Sequence, residues 1–98
     1  VEDAVDAYAR VIECGGKLAG SIFNIGTGVE TSIRDVAKAI LDLTGSTSKI
    51  VNVQGRLTDL PALCADAGKI RDATGWIPST PFTEGLRRTL NWLRVVDR

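Results

Sequence analysis

The stretch that most constrains the fold is residues 21–53, which reads SIFNI, continues through the turn NIGTG into an amphipathic run, and closes on KIVNV. SIFNI is short, β-branched and aromatic and is bounded by glycines, which predicts a strand over 21–25. Ile33, Val36, Ala37, Ile40 and Leu41 recur at helical spacing and predict a helix. Ser32 and Asp35 have the S-x-x-D spacing of a capping box at its start, and Gly45 ends it. KIVNV predicts a second strand over 49–53. Strand, helix and strand within about 30 residues make a βαβ unit, with parallel strands and a right-handed crossover. The expected fold class is therefore α/β: a small domain with a βαβ unit, a short parallel strand pair, surrounded by about four helices.

The rest of the chain supplies those helices. Val1, Ala4, Val5, Tyr8 and Ile12 share one face of a predicted helix over 1–14, with Glu2 and Asp3 in its first turn and Gly15 and Gly16 stopping it. Residues 54–66 contain Gly55 and Pro61 and no clean period, so they read as a structured loop. Asp66 is placed to cap a short helix over 67–74 that Gly75 closes, and residues 75–81 (GWIPSTP) form a rigid connector. The last helix is predicted to begin at Pro81 behind a Thr80 cap and to bury Phe82, Leu86, Leu90 and Leu93. Ninety-eight residues suffice for one domain, taken as 1–98.

Composition narrows the function. Twelve basic residues balance twelve acidic ones, so nothing suggests a nucleic-acid or membrane-surface partner. No apolar run approaches the roughly 20 residues of a membrane helix, and the opening Val1-Glu2-Asp3 is acidic where a signal peptide is basic. The expected location is cytoplasmic. Cys14 and Cys64 lie in no C-x-x-C motif and read as reduced thiols acting as small hydrophobes. The chain lacks histidine, the commonest general base and zinc ligand, and no metal site is expected. It also lacks methionine, which suggests an excised piece whose start lies upstream.

A glycine turn between a strand and a helix invites comparison with a dinucleotide-binding fingerprint, G-x-G-x-x-G followed by an acid at the end of the next strand. Gly26 and Gly28 fit, but the third position is Thr31 and the next strand ends at Gln54, which cannot replace the ribose-gripping carboxylate. A P-loop is excluded because no G-K-[ST] follows. NIGTG therefore reads as a turn, with no cofactor-binding residue assigned. No catalytic residue is assigned either: Tyr8 has Ile12 four residues on, so no Y-x-x-x-K pair exists, and without histidine no Ser-His-Asp triad can form.

What remains is GRLTD, residues 55–59, directly after the predicted second strand, where open α/β sheets place ligands. Arg56 offers a planar fork suited to phosphate oxygens, Gly55 allows close backbone approach, and Asp59 could accept from sugar or ribose hydroxyls. The alternative is a surface Arg–Asp pair bracing a loop, worth about 0–1 kcal/mol.

Read in order, VEDAVDAYARVIE, IFNIGTGVETSIRDVAKAILDLTG, IVNVQGRLTD, ADAGKIRDATGWIP and FTEGLRRTLNWLR resemble the C-terminal part of the extended short-chain dehydrogenase/reductases. The resemblance is to NAD-dependent nucleotide-sugar epimerases and dehydratases of the UDP-glucose 4-epimerase type, and it runs over nearly the whole chain. It implies a substrate-binding domain without the NAD-binding Rossmann domain and its Tyr/Lys pair, so that this chain alone binds no NAD and does not turn over substrate. In the family's R-x-G-D stretch the arginine holds the nucleotide-sugar phosphates and the aspartate contacts the ribose; by resemblance these roles fall to Arg56 and Asp59. One departure is Thr58, where the family usually has glycine, and it could keep Asp59 from the ligand. Apolar faces left by a missing domain imply self-association, docking onto another chain, or a separately encoded Rossmann partner. The rival reading is an interaction module that kept the fold and lost ligand binding.

Overall fold

The computed structural model describes residues 1–97. Four α-helices form: α1 (Glu2–Glu13), α2 (Ile33–Thr44), α3 (Gly68–Thr74) and α4 (Phe82–Val96), with a 3₁₀ turn over Gly15–Leu18. The chain divides into two compact units, one made of Val1–Val29 with Cys64–Pro81, the other of Glu30–Leu63 with the chain from Phe82 onward.

No described residue lies in a β-strand, which overturns the α/β expectation with its βαβ unit. Residues 21–25 and 49–53 have strand-like sequences but enter no ladder. Pattern predicts which side chains would face a core, whereas a strand also needs a neighbour to pair with, and a lone two-stranded pair is marginal in water. The helical part of the prediction holds: α1, α2, α3 and α4 each form within a residue or so of the expected spans.

In the first unit Ala7, Ile70 and Trp76 are buried together, with Val11, Phe23 and Ala67 half-buried around them. The inward side of α1 is thus the Ala4, Ala7 and Val11 side. The predicted stripe behaves differently, since Val1, Val5, Tyr8 and Ile12 are all exposed. Spacing shows that a helix has an apolar stripe, and α1 has two; the larger side chains are on the one that faces out.

The helix is fastened at its start. Trp76 Nε1 donates to the Asp3 carbonyl at 3.0 Å, and the Asp3 carboxylate accepts from Ser79 N–H (3.2 Å), Thr80 N–H (3.1 Å), Ser79 Oγ (3.1 Å) and Thr80 Oγ1 (3.4 Å). Thr80 therefore spends its hydroxyl on Asp3, and α4 begins at Phe82, one residue later than predicted. Further along α1, Arg10 bonds Asp6 at 3.2 Å and the Thr74 carbonyl at 3.4 Å. The Asp66 carboxylate accepts from Gly68 N–H at 2.9 Å while Ala67 takes the N-cap position of α3.

In the second unit α2 lies against α4. Ser32 Oγ accepts from Asp35 N–H at 3.0 Å, the predicted cap, a kind of bond worth about 1 kcal/mol. Gly45 closes α2 in a left-handed conformation (φ 64°) that a side chain would resist. Val36, Ala37, Leu41, Leu86 and Leu90 are half-buried, and no described residue of this unit is fully buried. Ile33, Ile40, Phe82 and Leu93, expected inside, are exposed. Arg34 Nη2 reaches Asn52 Oδ1 at 3.3 Å, a tether for residues 49–53.

Two carboxylates among the described residues are held below their ordinary values. Backbone N–H groups of Thr80 and Ser79, then their hydroxyls, hold Asp3 below its ordinary value of 3.8. Hydrogen bonds from Arg87 and Arg88 (2.7–2.9 Å) hold Glu84 down from 4.5 to about 2. Each group binds its proton more weakly folded than unfolded, so its contribution is present above the ordinary value and is lost as pH falls through the folded one. Side-chain carboxyl NMR titration should give Glu84 a midpoint near 2 and Asp3 one below 3.8. Ordinary midpoints for both would show that neither cluster forms.

Candidate functional site

The predicted ligand residues Gly55, Arg56 and Asp59 are brought together in one exposed turn. Arg56 N–H donates to Asp59 Oδ2 at 2.8 Å, and Asp59 N–H donates back to the Arg56 carbonyl at 3.1 Å. These reciprocal bonds close a four-residue turn and leave Leu57 fully exposed at its tip. A Cβ at Gly55 would meet Asp59 Oδ2 at 3.5 Å, an ordinary contact, so space inside the turn does not demand glycine. Among the described residues no non-glycine has a positive φ, so Thr58 fits the turn without backbone strain.

The bracing differs from a guanidinium–carboxylate pair. Asp59 braces the turn through the Arg56 backbone, and the guanidinium makes no ion pair or hydrogen bond among the described residues. Asp59 Oδ1 is likewise left without a hydrogen bond there. The arrangement thus fixes the backbone of an exposed cation, close in sequence to a carboxylate oxygen with acceptor capacity to spare. A planar guanidinium so presented can take two oxygens of a phosphate at once.

NIGTG is arranged differently. Gly28 takes φ 73°, and the Thr27 hydroxyl accepts from Val29 N–H at 3.2 Å. A Cβ at Gly26 would come within 2.7 Å of the Ala65 Cβ, so the space that glycine frees is filled by this chain's own alanine. A pyrophosphate cradle needs that space open. At Gly26 that space is occupied by Ala65.

An apolar groove of about 210 Å³ lies elsewhere, lined by Ala7, Tyr8, Val11, Phe23, Ile25 and Ile70. It offers no charged group to a phosphate. Beside it Lys69 donates to the Ile22 carbonyl at 2.8 Å and sits 5.1 Å from the Phe23 ring centroid, so that cation is already engaged. Local spacing gave no sign of this contact, because 47 residues separate its partners. Cys14 and Cys64 are free thiols. Among the described residues no His, Cys, Asp or Glu group could hold a metal ion, and no helix is long and apolar enough to cross a membrane.

No protein-family model and no solved structure matches the chain. Curated proteins do. It is 37% identical over 96% of its length to UDP-glucose 4-epimerase of Mycolicibacterium smegmatis, covering 29% of that protein. It is 33% identical over 99% of its length to UDP-N-acetyl-alpha-D-glucosaminuronate decarboxylase of Bacillus cytotoxicus, covering 32% of it. With dTDP-D-glucose 4,6-dehydratase of Bos taurus the identity is 34% over 94% of this chain and 27% of the relative. The chain thus spans about a third of the length of the curated relatives it matches. Near-complete coverage by relatives that share one substrate chemistry places it: the chain belongs to the nucleotide-sugar epimerases and dehydratases of the extended short-chain dehydrogenase/reductase family.

Proposed function

We propose that residues 1–98 are the nucleotide-sugar-binding domain, the C-terminal part, of an NAD-dependent epimerase or dehydratase working in the cytoplasm, and that the chain is not catalytic by itself. The observation that carries this reading is the turn at 55–59, which locks its backbone through Asp59 and leaves the Arg56 guanidinium unpaired. The relatives are named for UDP- and dTDP-sugars, whose common part is a nucleoside diphosphate joined to a pyranose. Arg56 holds the diphosphate by two parallel N–H···O bonds, Asp59 accepts from the ribose hydroxyls, and Gly55 leaves the backbone open to the ligand.

NAD supplies hydride transfer in the complete enzyme. The residues of this chain do not fit it: the NIGTG space is closed by Ala65, and no Tyr/Lys pair is present. Positioning the sugar is this chain's share of the work, and turnover needs the cofactor and an aligned base held elsewhere. A second reading, a non-catalytic interaction module, draws support from the outward stripe of Val5, Tyr8 and Ile12 on α1.

Titrating UDP-glucose into the labelled chain should shift the amides of residues 55–59. Arg56→Ala should weaken binding by roughly 10- to 100-fold, as expected for a charge-assisted hydrogen bond. An unchanged spectrum at millimolar ligand would contradict the proposal. Asp59→Asn keeps an acceptor for the Arg56 amide and should cost roughly 2- to 10-fold in affinity, whereas Asp59→Ala opens the turn and should cost more. Equal affinities for the two Asp59 variants and the wild type would remove Asp59 from the site.

A further inference from the structure

Resting on the nucleotide-sugar reading of the 55–59 turn, we propose that Thr58 is a further binding residue, its hydroxyl donating to a diphosphate oxygen that Arg56 leaves free. The side chain is exposed in the turn that Arg56 and Asp59 close, one residue before Asp59 and two after Arg56. Threonine in a turn or helix commonly spends its hydroxyl on nearby backbone. Thr27 accepts from the Val29 N–H at 3.2 Å, and Thr44, Thr74 and Thr89 donate to carbonyls four residues back at 2.7, 2.8 and 3.0 Å. The Thr58 hydroxyl makes no hydrogen bond among the described residues. Its backbone has no positive φ, so the residue holds this place without strain and with its donor unspent.

The donors and acceptors of the turn decide which part of the ligand the hydroxyl meets. Phosphate oxygens only accept hydrogen bonds, whereas ribose hydroxyls also donate. The spare Asp59 Oδ1 is an acceptor and suits the ribose. Within residues 55–59 the side-chain donors are Arg56 and Thr58. One guanidinium fork takes two oxygens, and a diphosphate has more. The charges of Arg56 and Asp59 cancel, so an uncharged second donor adds binding where the turn has no net positive charge. Reach sets the geometry. Neighbouring Cα atoms are ~3.8 Å apart and the threonine hydroxyl extends one bond beyond Cβ, so a phosphate that meets it lies against the turn, not out at the end of the long arginine. Thr58 thereby fixes how closely the diphosphate approaches, a task for which the glycine usual in the family has no side chain.

Titration of UDP-glucose into the full chain, followed by amide and phosphorus NMR, tests it. Thr58→Val keeps the β-branched shape without the hydroxyl and should weaken binding ~5- to 20-fold, as loss of a hydrogen bond to a charged group does. Thr58→Ser keeps the donor and should stay within ~2-fold of the wild type. At saturation the phosphorus resonances of UDP-glucose bound to Thr58→Val should differ from those in the wild-type complex, with the ribose anomeric proton unchanged. A moved anomeric proton beside unchanged phosphorus lines would put the hydroxyl on the ribose and overturn the proposal. So would a displaced Arg56 amide in unliganded Thr58→Val, which would show that the residue shapes the turn instead. Wild-type affinity in Thr58→Val, or a loss in Thr58→Ser as large as in Thr58→Val, would overturn it while leaving the nucleotide-sugar reading in place. No binding by the wild-type chain would remove that reading and the role of Thr58 with it.

Discussion

The Asp3 carboxylate gathers two backbone N–H groups and two hydroxyls from Ser79 and Thr80, while the Asp3 carbonyl takes the indole N–H of Trp76. One residue in the first turn of α1 thereby fastens the 75–81 connector at Trp76, Ser79 and Thr80. The first unit follows from it. With Trp76 held by its N–H, its ring fills the space between Ala7 and Ile70, and the small size of Ala7 permits the approach. A carboxylate at a helix N-terminus is also favoured by the helix dipole. Because the link joins residues more than 70 positions apart, it sets the path of the chain around this core.

Local signals in the sequence were sound at several helix ends, although Ala67 and not the predicted Asp66 takes the N-cap of α3. Ser32 caps Asp35 as its spacing predicts, Gly45 and Gly75 close their helices, and residues 54–66 form an irregular loop. The predicted trio Gly55, Arg56 and Asp59 meets in a single turn, since three residues suffice to bring a carboxylate to a backbone N–H. Partners distant in sequence were not legible. Asp3 looked like an ordinary first-turn acid, Thr80 like a helix cap, and Lys69 had no visible reason to seek Phe23.

The strand prediction failed for a related reason. SIFNI and KIVNV have the composition of strands, but a strand is completed by its neighbours, and no sheet forms among the described residues. The first unit shows the same economy: a core of Ala7, Ile70 and Trp76, with Val5, Tyr8, Ile12 and Ile22 turned outward. The second unit has no fully buried residue among those described. The chain spans about a third of its relatives' length, and many of its large apolar side chains are exposed while Ala7, Ile70 and Trp76 are the buried ones among the described residues. The 55–59 turn does not depend on that covering, because its two closing bonds are local.

Amide-resolved hydrogen exchange on the intact chain tests the central claim, that a long-range clamp at Asp3 orders the first unit while the strand-like runs stay unpaired. The account predicts protection at Ser79 and Thr80, whose N–H groups Asp3 holds, and at the α1 amides, with fast exchange through residues 22–25 and 50–53. Alternating protection along 22–25 or 50–53 with Ser79 and Thr80 exchanging freely would contradict it, showing a paired sheet and no clamp.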